Sequence, residues 1–193
     1  MDCTGTEFWD TRYRAGGVPW DLKGAPAGLH RHLGGRRPGR ALVPGCGLGH
    51  EVRAFAEAGW DVLGIDFSPV AVGQARAALG PRAGHVRQAD FFTADLEGPY
   101  DVVFERTFLC ALAPELWPAY ARRMEALVRP GGLLLGVFFM GEQEEPPPFP
   151  LRMGHALALL GPGFDLTENS AIPAEETLPI YGGGERWQAW QRR

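Results

Sequence analysis

Lysine and asparagine are almost missing from this chain: among 193 residues Lys23 is the only lysine and Asn169 the only asparagine, while arginine, proline and glycine are plentiful. That bias fits a GC-rich genome or a thermophile, and composition does not separate the two. A basic excess is missing as well. Lysine and arginine number 19 against 23 acidic residues, a formal charge of −4, which argues against a nucleic-acid partner because phosphate-backbone binders carry a basic stripe. The one arginine cluster, Arg36-Arg37-Pro38-Gly39-Arg40, reads as a solvated turn ahead of a strand. Cysteine is scarce: Cys3, Cys46 and Cys110 are odd in number, far apart and without Cys-x-x-Cys spacing, which excludes a disulfide framework and a zinc site. No His-x-x-His spacing or Ser-His-Asp set stands out among His30, His32, His50, His85 and His155, so no metal is expected. No run approaches the roughly twenty apolar residues of a membrane span. The first seven residues lack a basic stretch followed by an apolar one. A cytoplasmic protein without a membrane partner is expected, monomeric and of a single domain, with residues 1–38 as an N-terminal cap segment and 39–193 as the core.

What is present alternates. Strand signals fall near 40–44, 61–65, 84–88, 100–104, 132–140, 164–170 and 185–192, with helix signals between most of them. The alternation predicts an α/β fold: a Rossmann-like, doubly wound, mostly parallel seven-stranded sheet with an antiparallel last strand and helices on both faces. Ser68-Pro69 supplies an N-cap and an N1 proline for a helix over about 69–79, ended by Gly80-Pro81, and Pro114 opens another. Arg129-Pro130-Gly131-Gly132 reads as a turn into the apolar run Leu133–Met140, a strand buried on both faces. Gly141–Pro150, polar and proline-rich, follows that strand at the rim where open α/β sheets bind ligands.

The densest signal is Ala41-Leu42-Val43-Pro44-Gly45-Cys46-Gly47-Leu48-Gly49, with Asp66 seventeen residues beyond its last glycine. An apolar strand runs into a glycine turn, and the helix that follows aims its N–H groups and positive dipole end back at whatever lies on the turn. Asp66, with Phe67 beside it, ends the next strand, where a carboxylate accepts ribose hydroxyls. A dinucleotide fingerprint needs its third glycine at 50, which is His50; the spacing Gly45-x-Gly47-x-Gly49 favours S-adenosylmethionine over NAD. Two further carboxylates end strands on the same rim. Asp90, followed by Phe91, suits an adenine amino group and ring, and Glu105, followed by Arg106, stands where a transferred group would lie.

In this order the motifs resemble a class I S-adenosylmethionine-dependent methyltransferase. The opening Phe8-Trp9-Asp10-Thr11-Arg12-Tyr13 through Pro19-Trp20-Asp21 resembles the thiopurine methyltransferase superfamily, closest to its plant-type halide and thiol branch. Leu42–Gly47, Asp90-Phe91-Phe92, Thr107–Ala111 and Arg129–Gly132 match that branch, and the resemblance covers nearly the whole chain. It implies cofactor contacts at Trp9, Tyr13, Trp20, Gly45, Asp66, Asp90, Phe91 and Arg106, to which the glycine turn adds Cys46, Gly47 and Gly49. It implies methyl transfer to a small soft nucleophile: a thiol, thiopurine, halide or metalloid anion. The chain departs from the branch in three places. Tyr13 replaces a tryptophan. Glu105-Arg106 replaces Asp-Tyr, with the arginine more similar to the thiopurine enzymes. Glu144-Glu145-Pro146-Pro147-Pro148 replaces Gly-Gly-Pro-Pro.

Independent of any family, Trp9 and Tyr13 share a face if residues 6–14 are helical. With Trp20 they would cap a sulfonium cation by aromatic attraction, or else form an ordinary core stripe. Methyl transfer is an in-line displacement that needs positioning and a desolvated nucleophile, for which Glu105 and Arg106 are the catalytic candidates. Arg106 would hold an anion or the cofactor's carboxylate, or else bridge to Glu105. Cys46 reads as a small packer. An O- or N-methyltransferase of the same fold, an NAD(P)-dependent oxidoreductase and a non-catalytic cofactor-binding module remain as alternatives.

Overall fold

The structure, a computed structural model, describes residues 5–141 and 146–193. Cys3 and the acidic part of the proline-rich connection, residues 142–145, lie outside the described residues. The chain divides into two compact units, Met1–Asp95 and Leu96–Arg193.

In the first unit, strands β1 (Arg40–Pro44), β2 (Asp61–Asp66) and β3 (Val86–Gln88) lie in the order β3-β2-β1, all parallel. β1 and β2 are apolar and buried along almost their whole length, as strands covered on both faces require. Helix α3 (His50–Glu57) buries Val52, Ala54 and Phe55 on one stripe. Gly64 lets α3 come close, since a side-chain carbon there would overlap Val52. Helix α4 (Pro69–Leu79) starts where Ser68 Oγ accepts the Ala71 N–H, the cap expected from Ser68-Pro69. Helix α1 (Thr6–Ala15) ends at Gly16 in the left-handed region. Helix α2 (Ala27–Leu33), which buries Leu29 and Leu33, has no counterpart in the sequence expectations: at seven residues it is too short for a clear periodic signal. The strand expected over 84–88 is only Val86–Gln88, because Gly80–His85 coils into a 3-10 turn.

In the second unit, β4 (Tyr100–Arg106), β5 (Val128–Phe139), β6 (Phe164–Ala171) and β7 (Glu185–Arg192) lie in the order β4-β5-β7-β6. β4 and β5 are parallel, and β7 runs antiparallel to both β5 and β6. Helix α5 (Trp117–Leu127) buries Tyr120, Met124 and Leu127, and α6 (Met153–Leu160) buries Ala156 and Leu160. The turn expected at Arg129–Gly132 is instead a bulge inside β5. Tyr100 pairs with Val128 and Val102 with Leu133, so the extra residues are absorbed in one strand, with Gly131 at φ 73°. The seven strands form the expected Rossmann-like mixed sheet, six parallel and the last antiparallel.

Candidate cofactor and acceptor sites

In the first unit the glycine turn leaves β1 at Pro44 and enters α3 at His50. Gly45, Gly47 and Gly49 all take positive φ (59°, 49° and 79°), which only glycine holds without strain. At 47 a second constraint applies: a side-chain carbon would lie 2.9 Å from the Tyr13 hydroxyl. The Cys46 N–H donates to the Ile65 carbonyl (2.9 Å), lacing the turn to the end of β2. No side-chain hydrogen bond caps α3, whose N-cap is Gly49 itself.

Asp66 closes the other side of this cradle. Its carboxylate, 6 % exposed, accepts the Gly47 N–H on Oδ2 (3.1 Å) and the Ser68 N–H on Oδ1 (2.9 Å). Burial pushes its pKa up to about 6, against the pull of those two N–H groups and of the Phe67 N–H, and with a further push from Asp10. A bare glycine turn, an uncapped helix start and a carboxylate that keeps some exposure beside them fit an adenosine-type cofactor.

The three aromatic residues expected to form a cap do meet. Trp20 stands edge-on to both Trp9 (centroids 5.4 Å apart) and Tyr13 (6.0 Å), and shares a hydrogen bond with the Tyr13 hydroxyl. Burial, then the Asp66 charge, drive the Tyr13 phenol well above its ordinary pKa, so it stays neutral. Helix α1 is tied down at two points: Ser68 Oγ donates to Asp10 Oδ1 (2.5 Å), and Gln74 Nε2 donates to the Tyr13 carbonyl (3.0 Å). The segment after α1 is held where His50 Nε2 stands 3.0 Å from Asp21 Oδ1.

The remaining expected residues fall into place unevenly. Cys46 is a buried packer whose thiol burial drives up, so it is not a reactive thiolate. Phe67 is half-buried, with its carbonyl accepting from Gln88. Asp90 is exposed and accepts the Phe92 N–H (2.7 Å), while Phe91 is buried and stands edge-on to Phe92.

The second unit carries Glu105 and Arg106 at the end of β4. Glu105 is 1 % exposed, and its carboxylate accepts the N–H groups of Phe108 (3.0 Å) and Leu109 (3.1 Å) and the hydroxyl of Tyr120 (3.1 Å). Burial pushes it up to about 7. With its oxygens committed inward, Glu105 shapes the loop after β4. Arg106 is half-buried; burial raises the pKa of both Tyr181 and Glu185, and the Arg106 charge offsets part of that rise. Thr107 sits at φ 59°, a strained conformation for a β-branched residue, and its side chain hydrogen-bonds the Tyr181 hydroxyl. Glu185 is buried at the start of β7 and accepts the Leu178 N–H (2.9 Å) on Oε2. Sequence reading placed Thr107 in a matching motif without a role, and missed Tyr181 and Glu185. The available signal was that Tyr181 and Glu185 flank the glycine run 182–184 ahead of the last strand.

The profile of the family described as Thiopurine S-methyltransferase matches residues 4–193. A probable thiol methyltransferase 2 of Arabidopsis thaliana is 35 % identical over 193 residues, 95 % of this chain and 84 % of the relative. A thiocyanate methyltransferase 1 of Brassica oleracea is 31 % identical over 195 residues, with the same coverage. Among solved structures, the Burkholderia thailandensis 1,6-didemethyltoxoflavin-N1-methyltransferase, bound to its substrate and S-adenosylhomocysteine, superposes with a TM-score of 0.76. It is 21 % identical and is covered over 97 % of this chain and 86 % of that one, a likeness of fold. The chain belongs to the thiopurine S-methyltransferase family and is an S-adenosylmethionine-dependent methyltransferase.

Proposed function

We propose that the enzyme methylates a small organic thiol and that residues of the first unit hold the methyl donor. Gly45, Cys46, Gly47 and Gly49 offer backbone to the cofactor, Asp66 accepts its ribose hydroxyls, and Asp90, Phe67 and Phe91 serve its adenine. Trp9, Tyr13 and Trp20 supply aromatic faces that favour a sulfonium cation. When bound, S-adenosylmethionine provides an activated methyl group that an in-line nucleophile can take.

The observation that carries the choice of acceptor is the charge balance around Arg106. Two buried carboxylates belong to the same unit, Glu105 beside Arg106 on β4 and Glu185 at the start of β7, and the Arg106 charge offsets only part of the burial that raises Glu185. A halide or thiocyanate ion would compete with Glu185 for the Arg106 guanidinium and meet an uncompensated carboxylate. A thiol arrives neutral and gives its proton to water; Arg106 then holds the thiolate, whose charge is neutralised as its sulfur takes the methyl group from the sulfonium. The 35 % identical relative bears a thiol methyltransferase name, which supports the same class. Glu105 is a positioning residue for the Arg106–Leu109 loop.

In this reading the whole chain works as one methyltransferase domain, cytoplasmic and monomeric, on a small molecule without nucleic acid. The charge of −4 supports that reading, and no helix among the described residues is long and apolar enough to cross a membrane. The test is a panel of acceptors with product masses measured. Thiophenol and alkyl thiols should be methylated with a kcat/KM well above that for iodide, thiocyanate, catechols or amines, and a preference for iodide or thiocyanate would overturn the thiol assignment.

A further inference from the structure

Ser68 is completely buried and is used three times. Its N–H donates to Asp66 Oδ1, its Oγ accepts the Ala71 N–H at the start of α4, and its hydroxyl proton goes to Asp10 Oδ1 on α1. A serine has one proton to give. Because the cap of α4 uses a lone pair, the proton is left for Asp10, which is 7 % exposed and draws its other oxygen's partner, Arg14, from the same helix (3.1 Å). Residue 68 therefore joins the N-terminal helix to the carboxylate that closes the glycine cradle, across 58 positions of sequence.

We propose that Asp10 is a positioning residue for the cofactor site: through Ser68 it sets helix α1, and with it Tyr13, in fixed relation to Asp66 and the Gly45–Gly49 turn. Two features support a role beyond packing. A buried carboxylate on an otherwise aromatic helix face is a costly choice that an apolar residue would avoid unless the hydrogen bond specifies position. The stretch it specifies includes the Tyr13 hydroxyl, which fills the space above Gly47 that a side chain would otherwise occupy. The Gln74–Tyr13 hydrogen bond anchors the far end of α1 to α4 without touching Asp66, so Asp10 is the tie that reaches the cofactor carboxylate.

This inference rests on the cofactor reading of the glycine turn, and the experiment separates the two. Calorimetry of the full chain with S-adenosylhomocysteine tests the reading itself. If the wild type does not bind, that reading fails. The latch is tested on ligand-free protein by hydrogen exchange of the α1 amides. Asp10→Ala should lose protection over residues 8–15, and where the wild type binds it should weaken S-adenosylhomocysteine by roughly tenfold to a hundredfold. Asp10→Asn keeps an oxygen for the Ser68 proton and should recover most of both. The double variant Asp10→Ala with Ser68→Ala should be no weaker in binding than the product of the single losses, and in fact short of it, because both remove one hydrogen bond. Unchanged α1 protection in Asp10→Ala overturns the latch. So does an Asp10→Asn variant as defective as Asp10→Ala, or fully multiplicative losses.

Discussion

Each unit ends a parallel strand in a buried carboxylate, and the two are built for different work. Asp66 receives the Gly47 and Ser68 N–H groups, one on each oxygen, with the Phe67 N–H also favouring its charged form, and burial raises its pKa to about 6. Glu105 is enclosed by two N–H groups and the Tyr120 hydroxyl, and burial lifts it to about 7. Both lie at a strand end where sequence reading places ligand chemistry, yet Asp66 keeps some exposure beside the glycine turn while Glu105 is closed off between the loop after β4 and α5. A carboxylate sealed between a loop and a helix is a clamp, and one that stays partly open at a bare glycine turn can act as a binding group.

The sharpest way to break this comparison is to delete each carboxylate. Glu105→Ala leaves three buried donors without an acceptor and should cost on the order of 3–5 kcal/mol of unfolding free energy in denaturant titrations. Its effect on S-adenosylhomocysteine affinity should be small wherever the variant is folded. Titration sharpens the same point. The folded value of Glu105, about 7, lies above its ordinary 4.5, so the fold favours the neutral acid. That contribution is complete below pH 4.5 and is lost as pH rises through 7, roughly 3 kcal/mol in all. Glu105→Gln should flatten this part of the stability profile, and an unaltered profile would contradict the assignment.

Asp66→Ala should act on binding instead, weakening S-adenosylhomocysteine by about 1–3 kcal/mol in calorimetry. In the wild type the ionised carboxylate is the better acceptor, so affinity should fall by roughly tenfold as pH drops through 6, and Asp66→Asn should abolish that dependence. Were Asp66→Ala to bind as well as wild type, the cradle would be misplaced. The smallest effect expected is at Arg106. Arg106→Gln should lower kcat/KM for thiols by about 1–2 kcal/mol of transition-state stabilisation while leaving S-adenosylhomocysteine affinity within twofold. A comparable loss of cofactor affinity would move Arg106 to the cofactor side.

Much of the architecture was legible because its signals are local. The apolar strands at 40–44 and 61–66, the Ser68-Pro69 helix start and the glycine spacing each follow from the conformational limits of a few neighbouring residues. Arg129–Gly132 misled for the same reason: its proline and glycines have turn chemistry, but pairing with β4 draws them into a bulged strand. Cys46, sitting at a helix start that would lower a thiol's pKa, is driven the other way by burial. At the candidate sites, local sequence marked Asp66 and Glu105 alike and held nothing to tell how many donors each would meet.

The chain's own order of residues determined that it would form an alternating α/β sheet with a bare glycine turn ahead of a helix, because backbone freedom, periodicity and capping act over a few residues. Tertiary structure alone decided that Asp10 would receive the proton of a serine 58 positions away. It also set Tyr181 against Thr107 and spent Glu105 on its own loop. Such choices depend on which donors burial brings within about 3 Å of a given oxygen, and no short-range pattern encodes that.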